Sequence, residues 1–257
     1  MTSADLSVTS NTWLIWNRSR NQPRLRLFCL PYAGGGAAAF ARWANLLPPA
    51  VEVCRVQLPG RENRWRETPF TQLTSLVQTL TGVIQPYLDM PFAFFGHSLG
   101  ALISFELARQ VRRQLGLTPV HLFISGRRAP HLPDPDPLLY QQPDAEFVAT
   151  LRQRYDHIPD VVLNDPELME IFLPVLRADV TMLDTYVYVP DHPLDCPIAA
   201  YGGTADKRVT LAELKAWRQH TTRTLHTQLF PGTHFYLQAE QAALLQVMSQ
   251  DLIAWLS

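Results

Sequence analysis

Short apolar runs alternate with longer stretches of helical spacing along most of the chain. Residues 25–30 form one apolar run, and residues 51–58 alternate like a strand until Pro59 and Gly60 stop them. Residues 91–95 are nearly all apolar, as a strand covered on both faces must be. Further strands are predicted at 120–125, 197–201 and 224–230. Helical spacing is found at 40–47 (ended by Pro48 and Pro49), 73–88, 98–115, 211–220 and 237–256. Leu102, Phe105, Ala108 and Val111 share one helical stripe, with Arg109, Arg112 and Arg113 off it. In the last helix Leu245, Met248, Leu252 and Trp255 are in register. Strands alternating with helices predict an α/β fold, a mostly parallel sheet with helices on both faces.

One region breaks the alternation. Residues 127–190 hold no convincing strand before Tyr186, open with a proline-rich stretch from Pro130 to Pro143, and show helical spacing at 144–155, 166–172 and 176–186. About 60 residues are too many for an ordinary loop between core strands. The expected organisation is a core of residues 1–126 and 191–257, with 127–190 a helical insertion acting as a lid over the site.

Composition fits this picture. The chain has 257 residues, 47% of them hydrophobic, enough for a large core. Its 22 Lys+Arg balance 23 Asp+Glu, which gives no support to a general nucleic-acid binder. Cys29, Cys54 and Cys196 are too few and scattered for a disulfide framework or zinc site, so no metal is expected. No apolar run approaches membrane-spanning length, and Met1 to Asn11 is polar without a signal-peptide pattern. A cytoplasmic protein with a frayed N-terminus is expected, not one bound to a membrane.

The chemistry concentrates at Gly96-His97-Ser98-Leu99-Gly100, a G-x-S-x-G pattern lying between an apolar strand and a helix. That setting is what a nucleophile elbow requires: a sharp turn with serine at its tip and glycines where a Cβ would clash. A glycine-bounded turn with serine as helix cap is the plain alternative. A serine nucleophile needs a base, and in this arrangement the order along the chain is Ser, acid, His. Of eight histidines, His97 adjoins the serine too closely to serve it. His121, His220 and His226 fall at the wrong ends of strands, and His131, His157 and His192 lie in or beside the insertion. His234 alone follows the last strand, where the crevice of an open α/β sheet forms. Asp206 sits just beyond the preceding strand, whereas Asp195 precedes that strand and Asp179 and Asp184 fall in the inserted helices. The expected triad is therefore Ser98, Asp206 and His234. The oxyanion is expected to meet the amides of Leu99 and of Ala33, the latter in the glycine-rich stretch 31–36. That stretch lacks the G-x-G-x-x-G spacing of a dinucleotide site.

The assembled chain resembles the external, type II thioesterases of nonribosomal peptide and polyketide synthesis. The likeness runs from about Arg24 to Leu256 and is carried by residues 30–36, 57–62, 95–101, 173–179, 202–206 and 232–237. It implies an α/β-hydrolase fold with a helical lid and hydrolysis of acyl groups from the phosphopantetheine arm of carrier proteins or domains. It places Ser98, Asp206 and His234 at the triad positions and Ala33 and Leu99 at the oxyanion hole, with no cofactor beyond the substrate's own arm. The chain departs from the family in Thr233, and in residues 155–159 where a Gly-Gly pair is common. Rival readings are a medium-chain thioesterase of fatty-acid synthesis, a small-ester hydrolase or acyltransferase, and a catalytically silent binding module. Carrier domains are the expected partners of a monomeric enzyme. Arg61, Arg64 and Arg66 offer either a rim that meets the substrate's phosphate or an acidic carrier surface, or a solvated loop with internal ion pairs, and the second is expected.

Overall fold

The computed structural model describes residues 12–16, 23–155 and 165–256. Seven strands form one sheet in the order β1-β3-β2-β4-β5-β6-β7. They are β1 (Leu14–Trp16), β2 (Leu25–Leu30), β3 (Val51–Val56), β4 (Phe92–His97), β5 (His121–Ser125), β6 (Ile198–Gly203) and β7 (Leu225–Phe230). All neighbours pair in parallel except β1, an antiparallel edge strand on β3. This is the α/β-hydrolase architecture expected above, with β1 as an addition too short to register as a periodic run.

Alternation along the strands builds two cores. Phe28, Leu30, Phe94, Ile124 and Ala200 face α1 (Leu73–Ile84) and α2 (Leu99–Leu115). Leu27, Cys29, Phe95, Phe123 and Tyr201 face the other way, onto Phe40, Trp43 and the C-terminal helix. The parallel strands thus carry apolar residues on both faces, the pattern a doubly covered sheet demands. All three cysteines are buried and free.

Between β5 and β6 lie α3 (Asp144–Tyr155) and α4 (Pro166–Asp184). The spacing predicts two helices across 166–186, but α4 is continuous through Pro174. Proline there removes one backbone donor, while its φ suits a helix. Asp165 caps the start, accepting from Glu167 and Leu168 at 2.9 and 3.2 Å. Next come α5 (Leu211–Lys215), α6 (Tyr236–Ala239) and α7 (Gln241–Leu256). Residues 40–47 fold as 3-10 turns at Ala37–Phe40 and Trp43–Asn45 instead of one helix. Trp255 is 45% exposed although its spacing matched the buried stripe, and Leu256 turns inward in its place. Arg109, off the apolar stripe of α2, is nonetheless buried, held by Glu106 and the Val189 carbonyl. Among the described residues no helix is long and apolar enough to cross a membrane.

Burial pushes His121 and His220 down from an ordinary value of 6.5 to about 4, helped by His226 for the first and by His131 and Arg109 for the second. Both stay neutral in the folded chain at pH values where the unfolded chain protonates them. Below pH 6.5 the unfolded state therefore binds more protons, and their contribution to stability is lost as pH falls from 6.5 toward 4. Thermal unfolding followed by circular dichroism across that window should show a falling Tm, with a shallower fall in His121→Phe. Parallel curves for the two proteins would show that His121 does not contribute.

Candidate active site

The C-terminal ends of β2, β4, β5, β6 and β7 lie along one edge, and the site is built there. At the end of β4 the chain reverses direction through Ser98, which holds φ +54° and ψ −111°. The two glycines of the motif make this possible. A Cβ on Gly96 would lie 2.0 Å from the Gly100 carbonyl oxygen, and one on Gly100 would lie 2.1 Å from that of Leu30. The Ser98 amide bonds the Ser125 carbonyl at 2.8 Å, locking the elbow to β5. Leu99, fully buried, opens α2, and the amides of a helix's first turn have no intrahelical acceptor.

Ala33 lies in the turn after β2. Gly35 N–H donates to the Tyr32 carbonyl at 2.9 Å, and Gly34 takes φ +73°, the arrangement of a type II turn. The Gly34 amide is committed elsewhere, to the Asp179 carboxylate at 2.8 Å. Ala33 and Ser98 line the same cavity of about 550 Å³.

Acid and base meet directly. The Asp206 carboxylate lies 2.8 Å from His234 Nδ1, with the acid fully buried and the imidazole nearly so. Their loops are stitched together: Thr204 N–H bonds the Phe230 carbonyl and Ala205 N–H that of Gly232, both at 2.8 Å. Gly203 permits the approach, since a Cβ there would sit 2.3 Å from the Thr233 carbonyl oxygen. The other Asp206 oxygen accepts from the Arg208 amide at 2.7 Å, fixing the carboxylate's rotation. His234 lies against the ring of His97, centroids 5.0 Å apart, and His97 is the residue before the serine. The geometry thus joins Asp206 to His234 by a hydrogen bond and places His234 beside the elbow that carries Ser98.

Some supporting residues were not legible from the motif. His97 Nδ1 lies 2.8 Å from Ser125 Oγ, which lies 2.6 Å from the Tyr236 hydroxyl. Burial pushes the Tyr236 phenol well above its ordinary value, so it joins this chain as a neutral hydroxyl. Gly126, at φ +60°, has His97 Cε1 2.6 Å and His234 Cε1 3.2 Å from where its Cβ would be. A glycine directly after a strand end was the available signal. Two of the arginines at 61–66 form internal ion pairs, as expected, but from buried positions and not from a solvated loop. Arg61 pairs with Asp179, and Arg64 with Glu67 at 2.5 Å, while Arg64 lies 4.0 Å over the Trp13 ring. Both are buried, so Arg61 and Arg64 are not a docking rim. His157 lies outside the described residues.

The cavity has unlike walls. Phe172, Leu176, Val180 and Leu183 of α4 form an apolar side. Arg128, Asp134, Asp136 and Arg208 form a polar side, cross-linked by ion pairs.

Residues 25–252 match the family model described as the thioesterase domain. The gramicidin S biosynthesis protein GrsT of Aneurinibacillus migulanus is 46% identical over 242 residues, 94% of either chain. LgrE of Brevibacillus parabrevis, named linear gramicidin dehydrogenase, is 41% identical over 251 residues, 97% of this chain and 95% of its own. The solved structure of BorB, a type II thioesterase of the borrelidin biosynthetic cluster, superposes with a TM-score of 0.83 at 34% identity, covering 93% of this chain and 96% of that one. Likeness over almost the whole length, on the architecture built above, settles the relationship: the chain belongs to the thioesterase family of the α/β-hydrolase fold, serine hydrolases that act on thioesters.

Proposed function

We propose that this enzyme hydrolyses acyl groups from the phosphopantetheine arm of carrier proteins or domains in nonribosomal peptide or polyketide synthesis, for editing or for release. The observation that carries the reading is the 2.8 Å Asp206–His234 contact beside a strained Ser98, in a chain matching the thioesterase domain over residues 25–252. A hydride-transfer reading, suggested by the name of one relative, finds no support in the glycine-rich turn, which lacks G-x-G-x-x-G spacing.

Asp206 engages Nδ1 of His234 and leaves Nε2 to work on the serine. Ser98 Oγ attacks the thioester carbonyl as His234 takes its proton. The amides of Leu99 and Ala33 hold the oxyanion. Collapse of the tetrahedral adduct breaks the carbon–sulfur bond, and His234-H⁺ returns the proton to the departing thiolate. Water, deprotonated by the same imidazole, then attacks the acyl-serine; collapse breaks the carbon–Oγ bond, His234-H⁺ returns the proton to Ser98 Oγ, and the acid is freed. Neither step calls on a metal or dissociable cofactor, because the pantetheine arm belongs to the substrate.

Segment 127–190 serves as the lid, its α4 side chains forming the apolar wall above Ser98. The acyl chain lies against that wall and the arm enters from the protein surface. The enzyme acts as a monomer in the cytoplasm, meeting carriers as its partners.

Ser98→Ala should abolish labelling by a fluorophosphonate probe, and labelling that persists at another residue would reject the nucleophile. Asp206→Asn should keep the fold but lower kcat by roughly 10⁴, since the imidazole then loses the partner that fixes its tautomer. Mass spectrometry of carrier proteins loaded with different acyl groups, before and after incubation, reads the reaction itself. Loss of acyl mass from holo-carriers is expected; turnover of simple esters with carriers untouched would favour the small-ester hydrolase.

A further inference from the structure

The inserted helix reaches into the catalytic machinery through a group the triad does not use. Asp179 of α4 is fully buried, and so, nearly, is its partner Arg61. Their contact is bidentate, Arg61 Nη1 to Oδ2 at 2.7 Å and Nη2 to Oδ1 at 2.9 Å. The same Oδ2 accepts the Gly34 amide at 2.8 Å, and Arg61 Nη1 also reaches the Gly35 carbonyl at 3.2 Å. One ion pair thus grips both ends of the Gly34–Gly35 unit, directly after Ala33. From above, Phe172 and Leu176 fill the space where a Gly34 Cβ would be, at 2.8 and 3.4 Å.

Stability does not explain such a pair. Removing two charges from water costs about as much as their attraction returns, and apolar replacements of like size are often neutral or stabilising. What the pair supplies is direction. Gly34 is in the left-handed region, and the Ala33–Gly34 peptide can rotate unless an acceptor holds the Gly34 N–H. The Gly35 N–H in turn holds the Tyr32 carbonyl at 2.9 Å, and that carbonyl belongs to the Tyr32–Ala33 peptide, so holding the Gly34–Gly35 unit orients the peptide that carries the Ala33 N–H.

We propose that Asp179, backed by Arg61, is a positioning residue that orients the Ala33 amide for the oxyanion and so makes α4 part of the transition-state binding apparatus. The proposal rests on the thioesterase reading above. Its effect belongs to the transition state: the acyl group and the arm bind as before, while the tetrahedral oxygen loses an aligned donor.

Two variants test it, assayed on acyl carriers alongside the wild type. Asp179→Asn keeps the shape and one acceptor; Arg61→Met with Asp179→Leu removes both charges while filling their volume. In both, kcat should fall by about 100-fold, with KM unchanged, as expected for a catalytic donor displaced on the order of 1 Å. Affinity for an aryl boronic acid, which forms a tetrahedral adduct on Ser98, should fall in parallel with kcat. Affinity for a carrier bearing a non-hydrolysable acyl amide should stay constant, and Tm should hold in the double variant. Asp179→Asn with wild-type kcat overturns the proposal, as does a variant whose amide and boronate affinities drop together, because that marks a collapsed cavity. Should the double variant fail to fold, the single one decides. A wild-type enzyme that neither labels at Ser98 nor releases acyl groups sinks the thioesterase reading, and this inference with it.

Discussion

The backbone at Ser98 is the constraint on which the site depends. A non-glycine residue at φ +54° is strained, at a cost of order 1–3 kcal/mol, and persists only where its surroundings allow no alternative. Here the surroundings are backbone against backbone. Gly100 presses on the Leu30 and Pro31 carbonyls, and Gly96 on Gly100. A side chain at Gly100 would push α2 away from the end of β2, and one at Gly96 would push it away from β4. The consequence extends past the serine. Pro31 leads within two residues to Ala33, so the contact that forces the elbow also sets where the glycine-rich turn begins. The Ser98 turn and the glycine-rich turn after β2 are thus positioned by one contact, between the start of α2 and the end of β2.

The acid and base are held by a separate device. The loops after β6 and β7 hydrogen-bond along their backbones, and Gly203 lets them touch. His234 meets His97 and Gly126 on one side and Asp206 on the other. The His97–Ser125–Tyr236 chain ties the ring before the serine to the helix after the histidine, so the two halves of the site are joined through β5. Ordering the base this way removes rotational freedom before substrate arrives, which is where much of an enzyme's advantage over solution chemistry lies.

What could be read from the chain, and what could not, follows from the range of the forces involved. The meeting of Asp206 and His234 beside the Ser98 turn could be anticipated because each of the three follows a strand end. Strand positions were legible because a doubly covered sheet writes itself as short apolar runs. The exceptions all turn on tertiary partners. Pro174 reads as a helix stop, yet α4 runs through it because packing holds both sides. The three residues of β1 carry too little pattern and exist by pairing with β3. Arg61 and Arg64 read as surface charges, but Asp179 stands 118 positions from Arg61 along the chain, and no local rule pairs residues so far apart.

That distant pair also bears on how the cavity can change shape without disturbing the turn at Ala33. Leu176, Val180 and Leu183 follow the i, i+4, i+7 spacing of one helical stripe and line the cavity. Asp179 borders that stripe but is turned to Arg61 and Gly34. One helix therefore carries two sets of side chains under different constraints. The apolar stripe meets a polar wall cross-linked by its own ion pairs, so its residues can vary in volume without breaking those pairs. Asp179 must satisfy three N–H donors, from Gly34 and both ends of the Arg61 guanidinium, at fixed distances in a fully buried position. Substitutions that resize the cavity can leave the turn at Ala33 in place. A change at Asp179 reaches the turn first, whatever side chains line the rest of the cavity.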